Sequence, residues 1–530
     1  MVKQRNFEAW VVWAAMLGLT GCASLGSDSR PTINGVVAVG GPLAAATVTA
    51  VDARGRQITV LADSQGIYSI NAEGLTTPVL LSAIEAGANT NCRYNATLRA
   101  RCLSSVLTRM HAGRNVANIT PLTDRIVSDV AVSLKYIGPQ QLVDSGKTTG
   151  ITEEAVNVAK RTSLAGFSAA LQAAGVTDIT HFDPVSTPMQ ANHQGVDAVL
   201  DVVNHNRNYD NPSSESAYTV LTDISFRPII GLTGSGPYEP LDFNRAKQEL
   251  AAIKAAKVRV LVVGDSTAAT YELGRLPRMG WGQVFEQQFR VEEGVKVLNG
   301  ARAGRSSKDF YMGGWYQQMA RFLRPGDLVL INHGHNDQNC DATKPQRGPA
   351  DVAGLCSYPN DVNGKLQYPV GKPEMSFQKS LERYIELARA AGATPVLLTP
   401  TTRVWNKDRK PGFPVVSQHM TRQNVTQGFA FIGDYSRTVK DTASANAVPL
   451  IDLEAKTIAF ANAHQEDWKD YWLAISDFKT YPYYATQSAG TFISPDTTHF
   501  QQKGAEAVAA LVAQGIKETP ALKHYAMLLR

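Results

Sequence analysis

The chain carries little excess charge and no long apolar run beyond its N-terminus, although it has 530 residues. The net charge is only +5 and no basic cluster stands out, so we expect no nucleic-acid partner. After the first 21 residues, no apolar stretch approaches the length of about 20 residues that a transmembrane helix needs. The content of 44% apolar and 19% charged residues is that of an ordinary globular protein. The length predicts several domains.

Cysteine is also scarce, with five residues in the whole chain. Apart from Cys22, the cysteines form two pairs that are close in sequence, Cys92 with Cys102 and Cys340 with Cys356. Their spacing fits no four-cysteine zinc site, and we expect no metal. In an oxidising compartment the simplest assignment is two local disulfides, Cys92–Cys102 and Cys340–Cys356.

The N-terminus has the pattern of a secretory signal. Lys3 and Arg5 precede a short apolar stretch, Trp10–Leu19, which is too short to span a bilayer. The following residues, Leu19-Thr20-Gly21-Cys22, resemble the lipobox of bacterial lipoproteins. That resemblance implies an exported cell-envelope protein, lipidated at Cys22 and anchored in the outer membrane, on its periplasmic or outer face. The alternative is cleavage near this point by an ordinary signal peptidase.

Changes of pattern along the chain divide it into segments. Short alternating runs such as Ala46–Val51 and Ile58–Leu61 predict a small β-sandwich. Helical periodicity follows it, and then a short strand-rich piece at about 217–232. From about Lys257 strands and helices alternate, which predicts a parallel sheet covered on both faces. The predicted segments are a signal peptide (1–21), a tether (22–30), a β-sandwich (31–110), a mainly helical region (111–235), a linker (236–256) and an α/β/α domain (257–530).

The segment 31–110 carries a resemblance of its own. Gly35, Gly41-Pro42-Leu43, Ala46-Thr47-Val48 and Asp63–Tyr68 resemble the carboxypeptidase-regulatory-like sandwich domain. Domains of this kind are spacers or binding platforms, so we assign no chemistry to this segment.

A candidate nucleophile follows the first strand of the α/β/α domain. The apolar run Val258–Val263 ends in Gly264-Asp265-Ser266-Thr267, which predicts a buried parallel strand that delivers a serine into a turn. Ligand and catalytic sites of open α/β sheets lie outside the carboxyl ends of the strands. The other predicted strands are Val295–Leu298, Asp327–Asn332, Thr394–Leu398 and Val448–Ile451.

Residues suited to activate a serine follow at other strand ends. A serine hydroxyl needs a base to take its proton, and His499 is a candidate for that base. Asp496, three residues earlier, could fix the tautomer of the imidazole. The N–H groups of Ser266 and Gly304 and the side-chain amide of Asn336 could donate to an oxyanion.

These residues carry the resemblance to a known family. Gly264-Asp265-Ser266-Thr267, Gly304, Gly334–Asp337 and Asp496-x-x-His499 match, in order, the four blocks of SGNH (GDSL) hydrolases. Finer detail resembles the rhamnogalacturonan acetylesterase branch, and it lies in Gly280–Gln283, Ala303–Ser306, Val448–Leu453, Asp496–Phe500 and Gly504-Ala505. The resemblance implies a flavodoxin-like three-layer domain with a five-stranded parallel sheet.

The resemblance also implies a reaction. Ser266 would be the nucleophile, His499 the base and Asp496 its orienting partner, with Ser266, Gly304 and Asn336 forming the oxyanion hole. The implied activity is removal of acetyl groups from an acetylated polysaccharide or oligosaccharide, without a cofactor. An insertion at 338–375 departs from the family pattern and is expected to cover the site, which puts the pectin-type substrate in doubt.

Three alternatives stay open at this point. The enzyme could act on other short-chain acyl esters or on another acetylated glycan such as xylan. It could be a metal-dependent hydrolase, with His333, His335, Asp337 and His499 as ligands. The chain could also be a carbohydrate-binding surface lipoprotein without activity.

Three further residues, Asp265, His335 and His419, are expected to have a supporting role or none. Asp265 is expected either to take part in the site or to cap a helix that begins after it. His335 is expected to orient loops, because a second triad histidine would be redundant. His419 has no partner near it in the sequence, and we assign it no role.

Overall fold

The structure is a computed structural model that describes residues 30–87, 101–136, 138–207, 219–230, 239–338, 376–420, 425–426, 429–430 and 433–530. Cys22, Cys92, Cys340 and Cys356 lie outside these residues, as do the predicted signal peptide and all but the last residue of the tether. The predicted lipidation and both predicted disulfides therefore stay predictions. The same holds for the insertion at 338–375, of which only Gln338 is described. No helix in the described ranges combines the length and the apolar character needed to cross a membrane.

The N-terminal part is rich in β-strands, which form two sheets. The strands are β1 (Thr32–Val36), β2 (Thr47–Val51), β3 (Gln57–Leu61), β4 (Ile67–Asn71), β5 (Val79–Ile84), β6 (Cys102–Leu107) and β7 (Arg114–Val116). One sheet has the order β4-β1-β7 and the other has the order β3-β2-β5-β6. Ile33 and Ile70 of the first sheet share one core with Val48 and Leu81 of the second. Each sheet thus buries one face, as alternating strands do.

The middle region combines helices with a small sheet. Its helices are α1 (Pro121–Ser133), α2 (Pro139–Ser145), α3 (Glu153–Ala165), α4 (Ser168–Ala173) and α5 (Val196–Asp201). The strands β8 (Val203–Arg207), β9 (Thr219–Asp223) and β10 (Pro228–Ile230) form an antiparallel sheet of order β10-β9-β8. Residues 111–235 were predicted to be mainly helical, with a short strand-rich piece at about 217–232; β9 and β10 lie in that piece, whereas β8 was not predicted. Thr120 caps α1 by accepting a hydrogen bond from the Thr123 N–H.

Residues 236–256 were predicted to be a linker, and the structure corrects this prediction. They contain helix α6 (Phe243–Ala255), whose N-cap is Asp242, with its side chain accepting from the Arg245 N–H. Phe243, Ala246 and Ile253 are buried at helical spacing. The segment is therefore a helix that packs on the core.

The C-terminal part alternates strands with helices. Its strands are β11 (Val258–Gly264), β12 (Arg278–Met279), β13 (Val295–Asn299), β14 (Leu328–Asn332), β15 (Thr394–Leu398), β16 (Val425–Thr426), β17 (Phe429–Ala430), β18 (Leu450–Ile451), β19 (Trp472–Leu473) and β20 (Asp496–Gln501). Its helices are α7 (Trp281–Val284), α8 (Ser307–Met312), α9 (Trp315–Ala320), α10 (Phe377–Ala390), α11 (Tyr435–Ala445), α12 (Leu453–Ala463), α13 (Gln502–Glu518) and α14 (Lys523–Ala526).

Five of these strands form one parallel sheet of order β13-β11-β14-β15-β18. The second strand in sequence thus lies outside the first, which makes the sheet doubly wound. Leu261 and Val263 of β11 enter one core, whereas Val260 and Val262 enter the core on the opposite face. The first of these cores also contains Phe167 and other residues of the middle region, so that region packs against one face of the sheet.

A second, antiparallel sheet of order β12-β20-β19 brings the C-terminal motif to the parallel sheet. Strand β20 carries both Asp496 and His499. On its two sides, Arg278 of β12 pairs with Gln501 of β20, and Trp472 of β19 pairs with Phe500 of β20. Helix α13 follows β20 directly and packs against α7, with Val508 and Val512 in the same core as Trp281.

Candidate active site

The candidate site lies where the central strands of the parallel sheet end. Strand β11 ends at Gly264, and β14 beside it ends at Asn332, so Asp265-Ser266 and His333–Asp337 leave the same edge. The ends of the two strands approach closely here: a Cβ on Gly264 would lie only 2.6 Å from the carbonyl oxygen of Asn332. The Arg302 N–H donates to the Gly264 carbonyl at 3.0 Å, which ties the loop after β13 to the same point.

Ser266, His499 and Asp496 form a continuous line of hydrogen bonds. Nε2 of His499 lies 2.8 Å from Oγ of Ser266. Nδ1 of His499 lies 2.6 Å from Oδ2 of Asp496. The other carboxylate oxygen of Asp496 accepts from the N–H groups of Thr498 and His499, at 2.9 and 3.1 Å. The structure thus brings together the three residues that the sequence motifs singled out.

The electrostatic surroundings keep Asp496 ionised. Burial raises the pKa of Asp496, but the hydrogen bond and charge of His499, the Thr498 N–H and the nearby Arg278 guanidinium outweigh burial. The pKa of Asp496 therefore lies well below its ordinary 3.8. An ionised Asp496 can accept a hydrogen bond from the Nδ1–H of His499, which leaves Nε2 as an acceptor toward Ser266.

The surroundings of His499 favour the neutral form of its imidazole. Burial lowers the pKa of His499, and the cationic Arg278 and Arg403 lower it further. The hydrogen bond and charge of Asp496 act in the opposite direction, and the balance leaves the pKa of His499 below 6.5. A neutral imidazole at neutral pH can accept the Ser266 proton, as a general base must.

The three candidate donors to an oxyanion follow three different strands, β11, β13 and β14. Among the described residues, no acceptor is bonded to the N–H of Ser266 or Gly304. Gly304 has a φ of +76°, a left-handed conformation that suits glycine. The Asn336 side-chain amide donates to the Arg305 carbonyl at 3.3 Å, which places it beside the Gly304 loop. The Asn336 bond is long, so its amide can turn toward a better acceptor.

Asp265 closes its own turn and connects two of the motifs. One of its oxygens accepts from the N–H and the hydroxyl of Thr267, at 3.0 and 2.9 Å. The other accepts from the His335 N–H at 3.3 Å. The residues after Ser266 form turns, so Asp265 does not cap a helix there as one of the two expectations had it. Burial raises the pKa of Asp265, against the hydrogen bonds from Thr267.

His335 has a partner that the sequence did not reveal. Its ring packs edge to face with His419, with 4.6 Å between the ring centroids. Nε2 of His335 lies 3.2 Å from the Thr401 hydroxyl, and Nε2 of His419 lies 2.7 Å from the Thr401 carbonyl. Gln338 donates to Nδ1 of His419 at 2.6 Å. His419, to which the sequence assigned no role, therefore has partners in the fold, because loops far apart in sequence bring the two rings together.

Two arginines near the triad also escaped the sequence reasoning. Arg278 lies over the Tyr271 ring at 4.5 Å, and the Tyr271 hydroxyl donates to the Ser266 carbonyl at 2.7 Å. Arg403 follows β15 and acts electrostatically on Asp265 and Asp496. Each is a single arginine without a motif around it. The pairing of β12 with β20 would have been the signal for Arg278, and no local pattern announces that pairing.

Two of the residues that were considered as metal ligands, His333 and Asp337, have different neighbours in the structure. His333 is fully buried against Phe310 and Tyr384, with ring centroids at 5.5 and 5.3 Å. Asp337 accepts from the Ser307 N–H and hydroxyl, at 2.8 and 2.6 Å. In the part of the chain that the structure describes, no three His, Cys, Asp or Glu side chains are grouped as metal ligands.

Comparisons with known proteins cover this half of the chain. Residues 262–507, which include the triad, match the model of the GDSL-like lipase/acylhydrolase family. Rhamnogalacturonan acetylesterase RhgT of Bacillus subtilis is 32% identical over 264 residues, which are 49% of this chain and 90% of the relative. A probable rhamnogalacturonan acetylesterase of the same organism, YesY, is 30% identical over 259 residues, 49% of this chain and 92% of its own length.

Proposed function

The chain belongs to the GDSL-like lipase/acylhydrolase family and is an ester hydrolase, and we propose that it removes acetyl groups from an acetylated polysaccharide of the rhamnogalacturonan type. The observation that carries the proposed mechanism is the hydrogen-bonded line from Ser266 through His499 to Asp496, with distances of 2.8 and 2.6 Å. The substrate class is supported by the two relatives, whose sequences are 32% and 30% identical to this chain over the matched residues.

In the first half of the reaction, Ser266 Oγ attacks the carbonyl carbon of the acetyl ester. Nε2 of His499 takes the hydroxyl proton, and Asp496 stabilises the imidazolium that forms. The negative charge moves to the carbonyl oxygen, where the N–H groups of Ser266 and Gly304 and the Asn336 amide donate. The bond to the sugar oxygen then breaks, and His499 gives that oxygen the proton.

In the second half, water hydrolyses the acetyl ester on Ser266. His499, neutral again, takes a proton from the water as the water oxygen attacks the acetyl carbon. The same donors hold the second oxyanion. The bond to Ser266 Oγ breaks, the proton on His499 returns to Oγ, and acetic acid leaves. Both halves use only residues of this chain and water, so the proposed mechanism requires no cofactor.

The site of action is a further part of the proposal. The basic residues Lys3 and Arg5, the apolar stretch after them and Cys22 support export to the cell envelope and a lipid anchor. Such a location would bring the enzyme to polysaccharides outside the cytoplasm or to oligosaccharides derived from them.

Acetate release from a panel of acetylated polymers tests the proposal. Purified protein is incubated with acetylated rhamnogalacturonan, homogalacturonan, xylan and chitin, alongside Ser266→Ala. Ser145→Ala, in helix α2 of the middle region, serves as the matched control. We expect release from rhamnogalacturonan by the wild type and the control and none by Ser266→Ala. Release from xylan alone would keep the mechanism and overturn the substrate, and equal release by Ser266→Ala would overturn the mechanism.

A further inference from the structure

A short segment after β15 runs along the strand that carries Asp496 and His499. The Val404 N–H donates to the Thr497 carbonyl at 3.0 Å. The indole N–H of Trp405 donates to the Thr497 hydroxyl at 2.8 Å. Thr497 follows Asp496 directly, so these two bonds fix Arg403, the residue before Val404, beside the triad.

The Arg403 guanidinium is held in place but lacks an ion-pair partner. It lies over the Trp405 ring, with its central carbon 5.3 Å from the ring centroid, and the residue as a whole is half-buried. Among the described residues, no carboxylate oxygen of an Asp or Glu lies within 4.0 Å of a guanidinium nitrogen of Arg403, so it forms no salt bridge with them. Asp265 and Asp496 act on its charge from farther away, but both already accept hydrogen bonds from other groups.

A cation in this position favours an anionic ligand. Partial removal of a charge from water costs free energy unless an anion compensates it. Consistent with this, burial lowers the pKa of Arg403, and the two nearby carboxylates only partly oppose burial. Stacking on an aromatic face fixes the plane of a guanidinium and leaves its N–H groups free to bind a carboxylate in pairs.

We propose that Arg403, held on Trp405, binds the carboxylate of a uronic acid unit of the substrate. The inference rests on the proposed function and deepens it, because it explains how the enzyme would select an acidic polymer. Rhamnogalacturonan contains galacturonate, whose carboxylate is ionised at neutral pH, whereas the backbones of xylan and chitin carry no carboxylate. Arg403 is thereby assigned a role in specificity, outside the chemical steps at Ser266.

Competition against a small ester tests this assignment without requiring turnover of a polymer. The rate of 4-nitrophenyl acetate hydrolysis is measured with increasing non-acetylated oligogalacturonide, and an inhibition constant is obtained for each variant. The same oligomer with methyl-esterified carboxyl groups serves as the uncharged comparison ligand. Sodium acetate, at equal carboxylate concentration, is the small-anion control. The variants are Arg403→Gln, Arg403→Lys and, as a charge-matched control on the same exposed loop, Lys407→Gln.

We expect the wild type and Lys407→Gln to bind the acidic oligomer about tenfold or more tightly than its methyl ester, as a hydrogen-bonded charge pair would provide. Arg403→Gln should bind both oligomers equally, and Arg403→Lys should be intermediate because it keeps the charge and loses the planar fork. An unselective wild type, or an Arg403→Gln variant that keeps the preference, overturns the inference.

Two further outcomes separate this inference from the proposed function. If acetate competes as strongly as the oligomer, Arg403 binds small anions such as the product, and the sugar assignment is wrong. If no oligogalacturonide competes while the wild type still releases acetate from rhamnogalacturonan, the inference fails and the proposed function stands. If oligogalacturonide competes through Arg403 but no acetate is released from rhamnogalacturonan, the subsite stands and the proposed substrate fails.

Discussion

Asp496 and His499 lie on one short strand, and Asp496 is bonded to both the ring and the backbone of His499. Its Oδ2 is 2.6 Å from Nδ1 of His499, and its Oδ1 accepts the His499 N–H at 3.1 Å. The acid and the base are therefore one local unit, three residues apart, and they require no tertiary contact to find each other. Ser266, which comes from the end of β11, is the member that the fold has to supply.

The first prediction concerns Asp496→Asn. An asparagine amide cannot act as a charged acceptor for Nδ1–H, so the imidazole loses the tautomer in which Nε2 accepts the Ser266 proton. We expect kcat for 4-nitrophenyl acetate to fall by roughly 10³- to 10⁴-fold, by analogy with serine hydrolases. Asp470→Asn, at an exposed carboxylate paired with Lys503, should keep wild-type kcat. A loss smaller than tenfold in Asp496→Asn would show that Asp496 does not orient the base.

The second prediction concerns Asn336→Ala. If its amide turns from the Arg305 carbonyl to the oxyanion, its loss removes a bond made in the transition state. We expect kcat to fall by about 10²- to 10³-fold with little change in KM. Asn446→Ala, at the end of helix α11, is the matched control. An unchanged kcat in Asn336→Ala would mean that the amide stays on Arg305 during the reaction.

The third prediction concerns the pH dependence of kcat/KM. The positive charge of Arg278 disfavours the imidazolium form of His499 and so lowers its pKa. Activity requires the neutral imidazole, so kcat/KM falls on the acid side as His499 takes up a proton. In Arg278→Gln the pKa of His499 rises, and the acid limb of the profile should move to higher pH. Arg437→Gln, at an exposed arginine of α11, should leave the limb in place. A limb that moves to lower pH in Arg278→Gln would contradict this account.

The sequence was informative wherever a local pattern decides the structure. The predicted strand Thr394–Leu398 has the same bounds in the structure, and Val258–Val263 is extended by Gly264 alone. Buried parallel strands read as continuous β-branched runs, so their positions can be found without tertiary information. The same argument predicted the edge at which Ser266 leaves the sheet.

The features that the sequence reasoning missed depend on contacts between distant segments. Helix α6 was taken for a linker because of the Gly- and Pro-rich residues before it, although Phe243, Ala246 and Ile253 have helical spacing. His419 meets His335 through two loops that both contact Thr401. Arg403 has no surrounding motif, and its position depends on two bonds to Thr497. Such pairings follow from the three-dimensional arrangement of the strand ends.

Asp337 should make stability depend on pH. Burial raises the pKa of Asp337 from 3.8 to about 7, and the charges of Asp265 and Asp309 add to this against the hydrogen bonds from Ser307. Its Oδ1 accepts both Ser307 bonds, and its Oδ2 is buried without a hydrogen-bond partner among the described residues. The folded protein therefore holds a proton that the unfolded chain releases between about pH 4 and pH 7.

The sign follows from that proton. The contribution of Asp337 is fully present below about pH 4 and is lost as the pH rises through about 7. Asp337→Asn cannot ionise and can still accept the Ser307 bonds. The free energy of unfolding of Asp337→Asn relative to the wild type should rise by up to about 1.4 kcal/mol per pH unit across that range and then level off.

Thermal or denaturant unfolding of both proteins from pH 4 to pH 9 measures this difference. His333, whose pKa burial lowers to about 3, loses its contribution in the opposite direction, as the pH falls from 6.5. It is present in both proteins, so its effect cancels when the two curves are subtracted. A difference that stays constant from pH 4 to pH 7 would mean that Asp337 is ionised in the folded protein throughout, and that its unpartnered oxygen is solvated.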